Sequence, residues 1–252
     1  MTNWREQAKV KIAIGINNLT AVSQPAYSNH LQFFYRLGRS YTNLEVLLIN
    51  PARMSIDRMR NMAAEQALKW EADYLLFLDD DVLIPFGSLA HLLDANKDII
   101  AGDVLIRGYP FEHMIFDYLE DKKGMHAIRE VEEPLGVYDC DAVGFSYCLI
   151  KIDVLKKCPK PFFITGPKNT EDIYFCIKAK LANPDLTIAC DTRIKCGHML
   201  NPYPIGPENV DLFRKYYEAQ YPQAIAQQEQ DRGNDYYVVV KGGVDETQPR
   251  LG

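Results

Sequence analysis

Short apolar runs alternate with longer amphipathic stretches through the first hundred residues. Lys11 to Ile16 and Glu45 to Asn50 are two such runs, the second stopped by Pro51. Tyr74-Leu75-Leu76-Phe77-Leu78 is a third, and Asp98 to Leu105 a fourth. Bounded apolar runs of this length predict strands buried on both faces. Between them, Ser28 to Leu37, Ile56 to Trp70 and Phe86 to Ala95 carry helical patterns. In the middle one, Ser55 is placed as N-cap, and Ile56, Met59, Ala63, Ala67 and Trp70 form one core-facing stripe. Arg58 and Asn61 fall on the other side, with Arg60 on the flank. Strand and helix in alternation predict an α/β fold, a mostly parallel sheet flanked by helices on both faces.

Past Leu105 the pattern weakens. Tyr109 to Tyr138 is richer in charge and predicts loops or short antiparallel strands. Gly144 to Ile152 predicts a strand, Asp153 to Lys157 a short helix, and Glu171 to Leu181 a helix capped by Thr170. Leu186 to Lys195 is a late strand leading into Cys196-Gly197-His198. A helix over Val210 to Tyr221 and a strand over Tyr236 to Val240 follow, and Gly242 to Gly252 is expected to be disordered. The division expected is a domain over residues 1–205 and a C-terminal helical extension with its tail over 206–252.

Composition narrows the class. A chain of 252 residues with 47% hydrophobic and 25% charged residues reads as an ordinary globular protein. No uncharged apolar stretch is long enough for a transmembrane helix. Met1-Thr2-Asn3-Trp4-Arg5-Glu6 is no secretory leader. Net charge is −6 and the isoelectric point about 5.4, which argues against non-specific nucleic-acid binding. An acidic protein that binds an anion needs a metal ion, arginines or helix N-termini to do so. The six cysteines form no CxxC pair, so free thiols in a reducing, cytoplasmic setting are expected. Cys190, Cys196 and His198 fit no common zinc spacing.

The chemistry gathers at Asp79-Asp80-Asp81, which closes the third apolar run. Ligands bind open α/β sheets at the carboxyl ends of strands. Alternation along a strand would send Asp79 and Asp81 to one side and Asp80 to the other. Two like charges about 4 Å apart repel by roughly 4 kcal/mol at an effective dielectric near 20. A divalent cation removes that cost and anchors phosphates. The plain alternative is a solvated acidic turn, but Val82-Leu83-Ile84-Pro85 is again apolar.

The order Arg60-Asn61, Leu78-Asp79-Asp80-Asp81, Gly144, Thr170-Glu171-Asp172, then Asp191 with His198, resembles the metal-dependent GT-A glycosyltransferases of the family 2-like type. The likeness covers about Lys11 to His198. It implies a Rossmann-like GT-A fold, with a small antiparallel portion and a C-terminal appendage. It also implies a nucleotide-sugar donor, with a UDP- or GDP-sugar favoured, and Mn²⁺ or Mg²⁺. By resemblance, Asp79 contacts the ribose and can touch the metal, Asp81 is a metal ligand, and His198 is the distant third ligand. Asp80 would hold a nearby loop or the sugar. Asp172 would be the catalytic base, with Glu171 helping to hold acceptor or base. Asn17 would sit at the nucleotide base, Arg60 on donor oxygens, and Gly102 with Asp103 along the sugar site. Gly144 with Phe145, and Phe162-Phe163, fall where relatives place acceptor-side residues, though core packing explains these aromatics at least as well. The acceptor stays open among glycan, lipid, protein, small molecule and modified DNA base, as do oligomeric state and inversion against retention, with inversion favoured. Two rivals stand beside this: a metal-dependent nucleotidyl or phosphoryl transferase, and a non-catalytic nucleotide-sugar-binding module.

Overall fold

A computed structural model describes residues 3–18, 22–120, 124–128, 130–166, 169–200, 203–222, 225 and 237–238. After a short helical turn at Trp4–Glu6, β1 (Val10–Asn17) enters the sheet and α1 (Gln24–Ser40) follows. The helix starts earlier than its apolar pattern suggests. Ser23 accepts a hydrogen bond from the Ala26 amide, and Pro25 in the first turn has no amide to leave unpaired. Next come β2 (Leu44–Ile49), α2 (Ile56–Lys69), β3 (Tyr74–Asp79), the two-residue β4 (Val82–Leu83), α3 (Ser88–Ala95) and β5 (Ile99–Asp103). The charged stretch holds short strands: β6 (Ile115–Leu119), β7 (Gly124–Ala127), β8 (Val137–Asp139) and β9 (Ala142–Val143). Then β10 (Tyr147–Lys151) runs directly into α4 (Ile152–Lys157), followed by α5 (Glu171–Ala182) and β11 (Ile188–Lys195). The chain continues through β12 (Gly197–Leu200), β13 (Tyr203–Ile205), α6 (Val210–Gln220) and β14 (Tyr237–Val238). The tail expected to be disordered, 242–252, lies outside the described residues.

The central sheet has the order β2-β1-β3-β10-β5-β11-β8. Strands β1, β2 and β3 are parallel, as are β5 and β11, whereas β10 runs antiparallel between β3 and β5. So β5 does not lie beside the aspartate strand; β10 separates them. Two smaller antiparallel sheets, β13-β12-β4 and β14-β7-β6-β9, flank it.

Alternation along β3 divides the core. Leu75 and Phe77 join one apolar layer with Ala63, Phe145, Phe163 and Phe175. Leu76 and Leu78 join the other with Ile12, Ile14, Leu89 and Tyr147. Each leucine, isoleucine and phenylalanine among them contributes about 1.5–3 kcal/mol by leaving water. Gly144 is forced by packing: a β-carbon there would lie 2.3 Å from the Met114 Cε. A third cluster, with Leu105, Tyr109, Phe111, Ile205 and Val210, sits under α6.

Candidate functional site

Strand β3 ends at Asp79, and Asp80-Asp81 turn the chain into β4. The turn breaks strand alternation, so Asp79 and Asp81 face different partners rather than one side. Helix α1 clamps it from outside. The Asn29 amide donates to the Ile84 carbonyl at 3.1 Å and accepts from the Ile84 amide at 2.9 Å. His30 Nε2 donates to the Val82 carbonyl at 2.8 Å. From the other side β12 pairs with β4, putting His198 opposite Val82, and the Met199 amide donates to the Asp81 carbonyl at 2.9 Å. This ladder brings His198 Nε2 within 3.5 Å of Asp81 Oδ1.

The other His198 nitrogen settles the ring's chemistry. Nδ1 lies 2.7 Å from the Leu105 carbonyl, which can only accept, so Nδ1 carries a proton. That leaves Nε2 facing the Asp81 carboxylate, and without a proton of its own it would turn a lone pair there. Two acceptors facing each other call for a proton or a cation between them. A ring held by its far N–H on a backbone carbonyl is also the usual setting of a metal-ligating histidine. Burial alone would raise the Asp81 carboxyl. The His198 ring, when its Nε2 carries a proton, outweighs it with help from Arg107, whose Nη1 lies 2.8 Å from Oδ2, and the group is held below the usual carboxylate range.

Asp79 faces inward. Asn17, its β1 neighbour in register, donates from Nδ2 to Asp79 Oδ1 at 3.1 Å. Asn17 is 3% exposed, and its own Oδ1 is buried without a partner. Asp79 Oδ2 is 3.3 Å from Arg60 Nη2. Arg60 is 2% exposed rather than on a half-wet flank. Its Nε donates to Glu171 at 2.8 Å and its Nη1 to the Phe145 carbonyl at 3.0 Å, and the guanidinium lies over the Phe77 ring at 4.9 Å. Burial would lower its pKa, but Asp79 and Glu171 more than offset that, and it is raised. The Glu171 carboxyl is raised too, by burial first, against the pull of Arg60 and with the help of Asp172.

Asp172 stands in the first turn of α5, buried. Thr170 occupies the N-cap position, but its hydroxyl donates to Asp172 Oδ1 instead of capping the helix; the Ile173 amide donates to the same oxygen at 2.8 Å. Asn61, expected on the solvent side, reaches the Phe163 carbonyl at 2.7 Å and the Phe162 amide at 2.9 Å. Phe145, Phe162 and Phe163 are core residues at 0–1% exposure, with no face left for a sugar.

The structure thus forms two groups. Asn17, Asp79, Arg60 and Glu171 make one chain of contacts, with Asp172 beside Glu171; Asp81 and His198 make the other. Asp80 is half-buried in the turn between them. Gly102 is enclosed, since a β-carbon there would meet Ile194 at 2.9 Å and Tyr147 at 3.0 Å. Asp103 is buried against His113 Nδ1 at 2.6 Å instead of facing open space. Asp191 pairs with Arg193 at 2.6 Å. Sequence reasoning missed Arg107, the Asn29–His30 clamp and His113. Only the long-range pairing of short strands exposes them.

Among the described residues no cluster of three or more His, Cys, Asp or Glu side chains is placed to hold a metal. Asp81 and His198 supply two donors, an oxygen and an imidazole nitrogen, of the kind that suits Mn²⁺. That fits a cation completed by phosphate oxygens and water rather than an all-protein cage. All six cysteines are buried free thiols.

No protein-family model matches the sequence, and no curated protein matches it. Among solved structures, A197 from STIV superposes with a TM-score of 0.54 at 17% identity, covering 79% of this chain and 91% of that one. HddC from Yersinia pseudotuberculosis gives a TM-score of 0.40 at 9% identity, covering 77% of this chain and 95% of that one. The likeness to A197 is one of fold, a large mostly parallel sheet flanked by helices with small antiparallel additions. Among the described residues no helix is long and apolar enough to cross a membrane.

Proposed function

We propose that this chain transfers a sugar from a nucleoside-diphosphate donor, of the UDP- or GDP-sugar class, to an acceptor hydroxyl. Mn²⁺ or Mg²⁺ would be held by Asp81 and His198. The observation that carries the reading is the 3.5 Å approach of His198 Nε2 to Asp81, with Nδ1 pinned to Leu105. A cation bound there would neutralise charge on the departing diphosphate. Asn17 and Asp79 lie deeper at the strand ends, and the unpartnered Asn17 Oδ1 is suited to accept an N–H from the nucleoside. Arg60 holds Asp79 and Glu171 in place from behind.

Asp172 is assigned as base. The acceptor oxygen attacks the anomeric carbon, the bond from that carbon to the diphosphate oxygen breaks, and the acceptor proton passes to the Asp172 carboxylate. That sequence inverts the anomeric centre. Product analysis tests it: glycosylated acceptor with free nucleoside diphosphate is expected. Release of pyrophosphate would instead indicate nucleotidyl transfer. Asp172→Asn is expected to keep diphosphate binding while turnover falls by about 10²–10⁴-fold. Full turnover in that variant rejects the assignment.

A further inference from the structure

Arg107 sits near the tip of a hairpin, and the proposed reaction gives it no part. Residues 104–114 fold back on themselves: the Met114 amide donates to the Val104 carbonyl at 2.9 Å, and the Ile106 amide to Glu112 at 2.8 Å. Asp103 and His113 close its base. Helix α6 braces the outside. Phe111 packs edge-on against Phe213 and Tyr217, Tyr109 donates to Glu218 at 3.0 Å, and Arg214 donates to the Pro110 carbonyl at 2.8 Å. The same hairpin supplies the Leu105 carbonyl that orients His198 and, two residues on, the Arg107 guanidinium on Asp81 Oδ2.

We propose that Arg107 is a built-in competitor for the cation site: it neutralises Asp81 when no divalent ion is bound, yields it when one arrives, and then pairs with the donor diphosphate. The inference rests on the proposed reading of Asp81 and His198. A divalent ion beside Asp81 puts two positive charges at close range, so Arg107 and the ion cannot share that carboxylate without repulsion. The Arg107 side chain is 53% exposed, against 28% for Asp81, so the guanidinium has room to move while its backbone is braced. Its planar fork matches phosphate oxygens, and a diphosphate arriving with the ion offers the charge that Asp81 gave up. Arg107 thereby couples the order of loading, with the cation and the diphosphate together displacing what either alone displaces poorly.

The test measures Mn²⁺ binding by the full chain without nucleotide, through loss of the free-ion paramagnetic resonance signal. UDP and GDP binding at saturating Mn²⁺ then follows by calorimetry. Arg107→Gln is expected to bind Mn²⁺ alone about fivefold more tightly than wild type. The same variant should bind the diphosphate about tenfold more weakly. Opposite signs from one substitution are the signature, and general loosening of the fold does not produce them. Equal or weaker Mn²⁺ binding in the variant, with wild-type binding that Asp81→Asn abolishes, overturns the competitor and leaves the metal site standing. Absence of Mn²⁺ binding by both proteins without nucleotide overturns the competitor, and absence of any Mn²⁺-dependent UDP or GDP binding as well overturns the site reading with it.

Discussion

The two halves of the site are built on opposite principles. Around Arg60 the charges are buried and paired: one guanidinium joins Asp79, Glu171 and the Phe145 carbonyl between aromatic rings, on elements of the main sheet, α2 and α5. Around Asp81 only His198 is buried; Asp81 and Arg107 are partly exposed, and the groups come from a turn, a hairpin tip and a strand paired to two residues. Charge buried on stiff elements is costly to disturb, so it positions. Charge at the rim, with an exposed partner, can change that partner. The contrast assigns permanence to the Arg60 half and exchange to the Asp81 half.

The sharpest way to break this contrast is Arg60→Met. It strands Asp79 and Glu171 without their counter-ion, and denaturant unfolding should show a loss of about 3–5 kcal/mol. A loss below about 1 kcal/mol would mean that the Arg60 half is not structural. Asp81→Asn should do the reverse, with turnover falling by roughly 10²–10³-fold, comparable to removing one charge-stabilising group. Its melting temperature should stay near that of wild type by scanning calorimetry. Adding Glu171→Gln to Arg60→Met should recover about 1–2 kcal/mol of the stability, because one unpaired charge has gone; a double-mutant cycle reads this coupling.

Smaller effects come from pH. The folded Glu171 carboxyl is raised, so the native state binds the extra proton. Stability relative to Glu171→Gln should therefore fall as pH rises from the ordinary carboxylate value, about 4.3, toward the folded one. The folded Asp81 carboxyl is lowered. In EDTA, its contribution relative to Asp81→Asn should be full above about pH 4, and lost as pH falls through the folded value, by less than about 1 kcal/mol. Slopes of the same sign at both positions would erase the distinction.

Much of the fold was legible. Apolar runs located β1, β2, β3, β5 and β11 to within a residue or two, because buried strands in such sheets are uninterrupted, although β2 at the sheet edge is only half-buried and not covered on both faces. The same property hid the direction of β10, since a strand buried on both faces has one pattern whichever way it runs. The acid turn was visible because charge follows core sequence abruptly. Its surroundings were not. Asn61 looked solvent-facing because helical periodicity cannot foresee that residues 162–163 fold over that side and need an amide to satisfy their backbone. Arg60 looked half-wet for the same reason. Thr170 stands at the expected N-cap, yet its hydroxyl is spent on Asp172, a choice that only the local rotamers decide. That His198 would meet Asp81 followed from no local pattern; it depends on two residues of β4 pairing with β12.

That small ladder has a further consequence. The imidazole is placed by a register of two residue pairs, Gly197 with Leu83 and His198 with Val82. A slip of one step would offer either a glycine, with nothing to coordinate, or the thioether of Met199, a soft donor suited to copper(I) rather than to manganese or magnesium. If the site holds a cation as proposed, the pairing would act as a vernier for ion preference. Shortening or lengthening the chain by one residue just ahead of His198 would then change the donor offered to that cation while leaving every acidic side chain where it is.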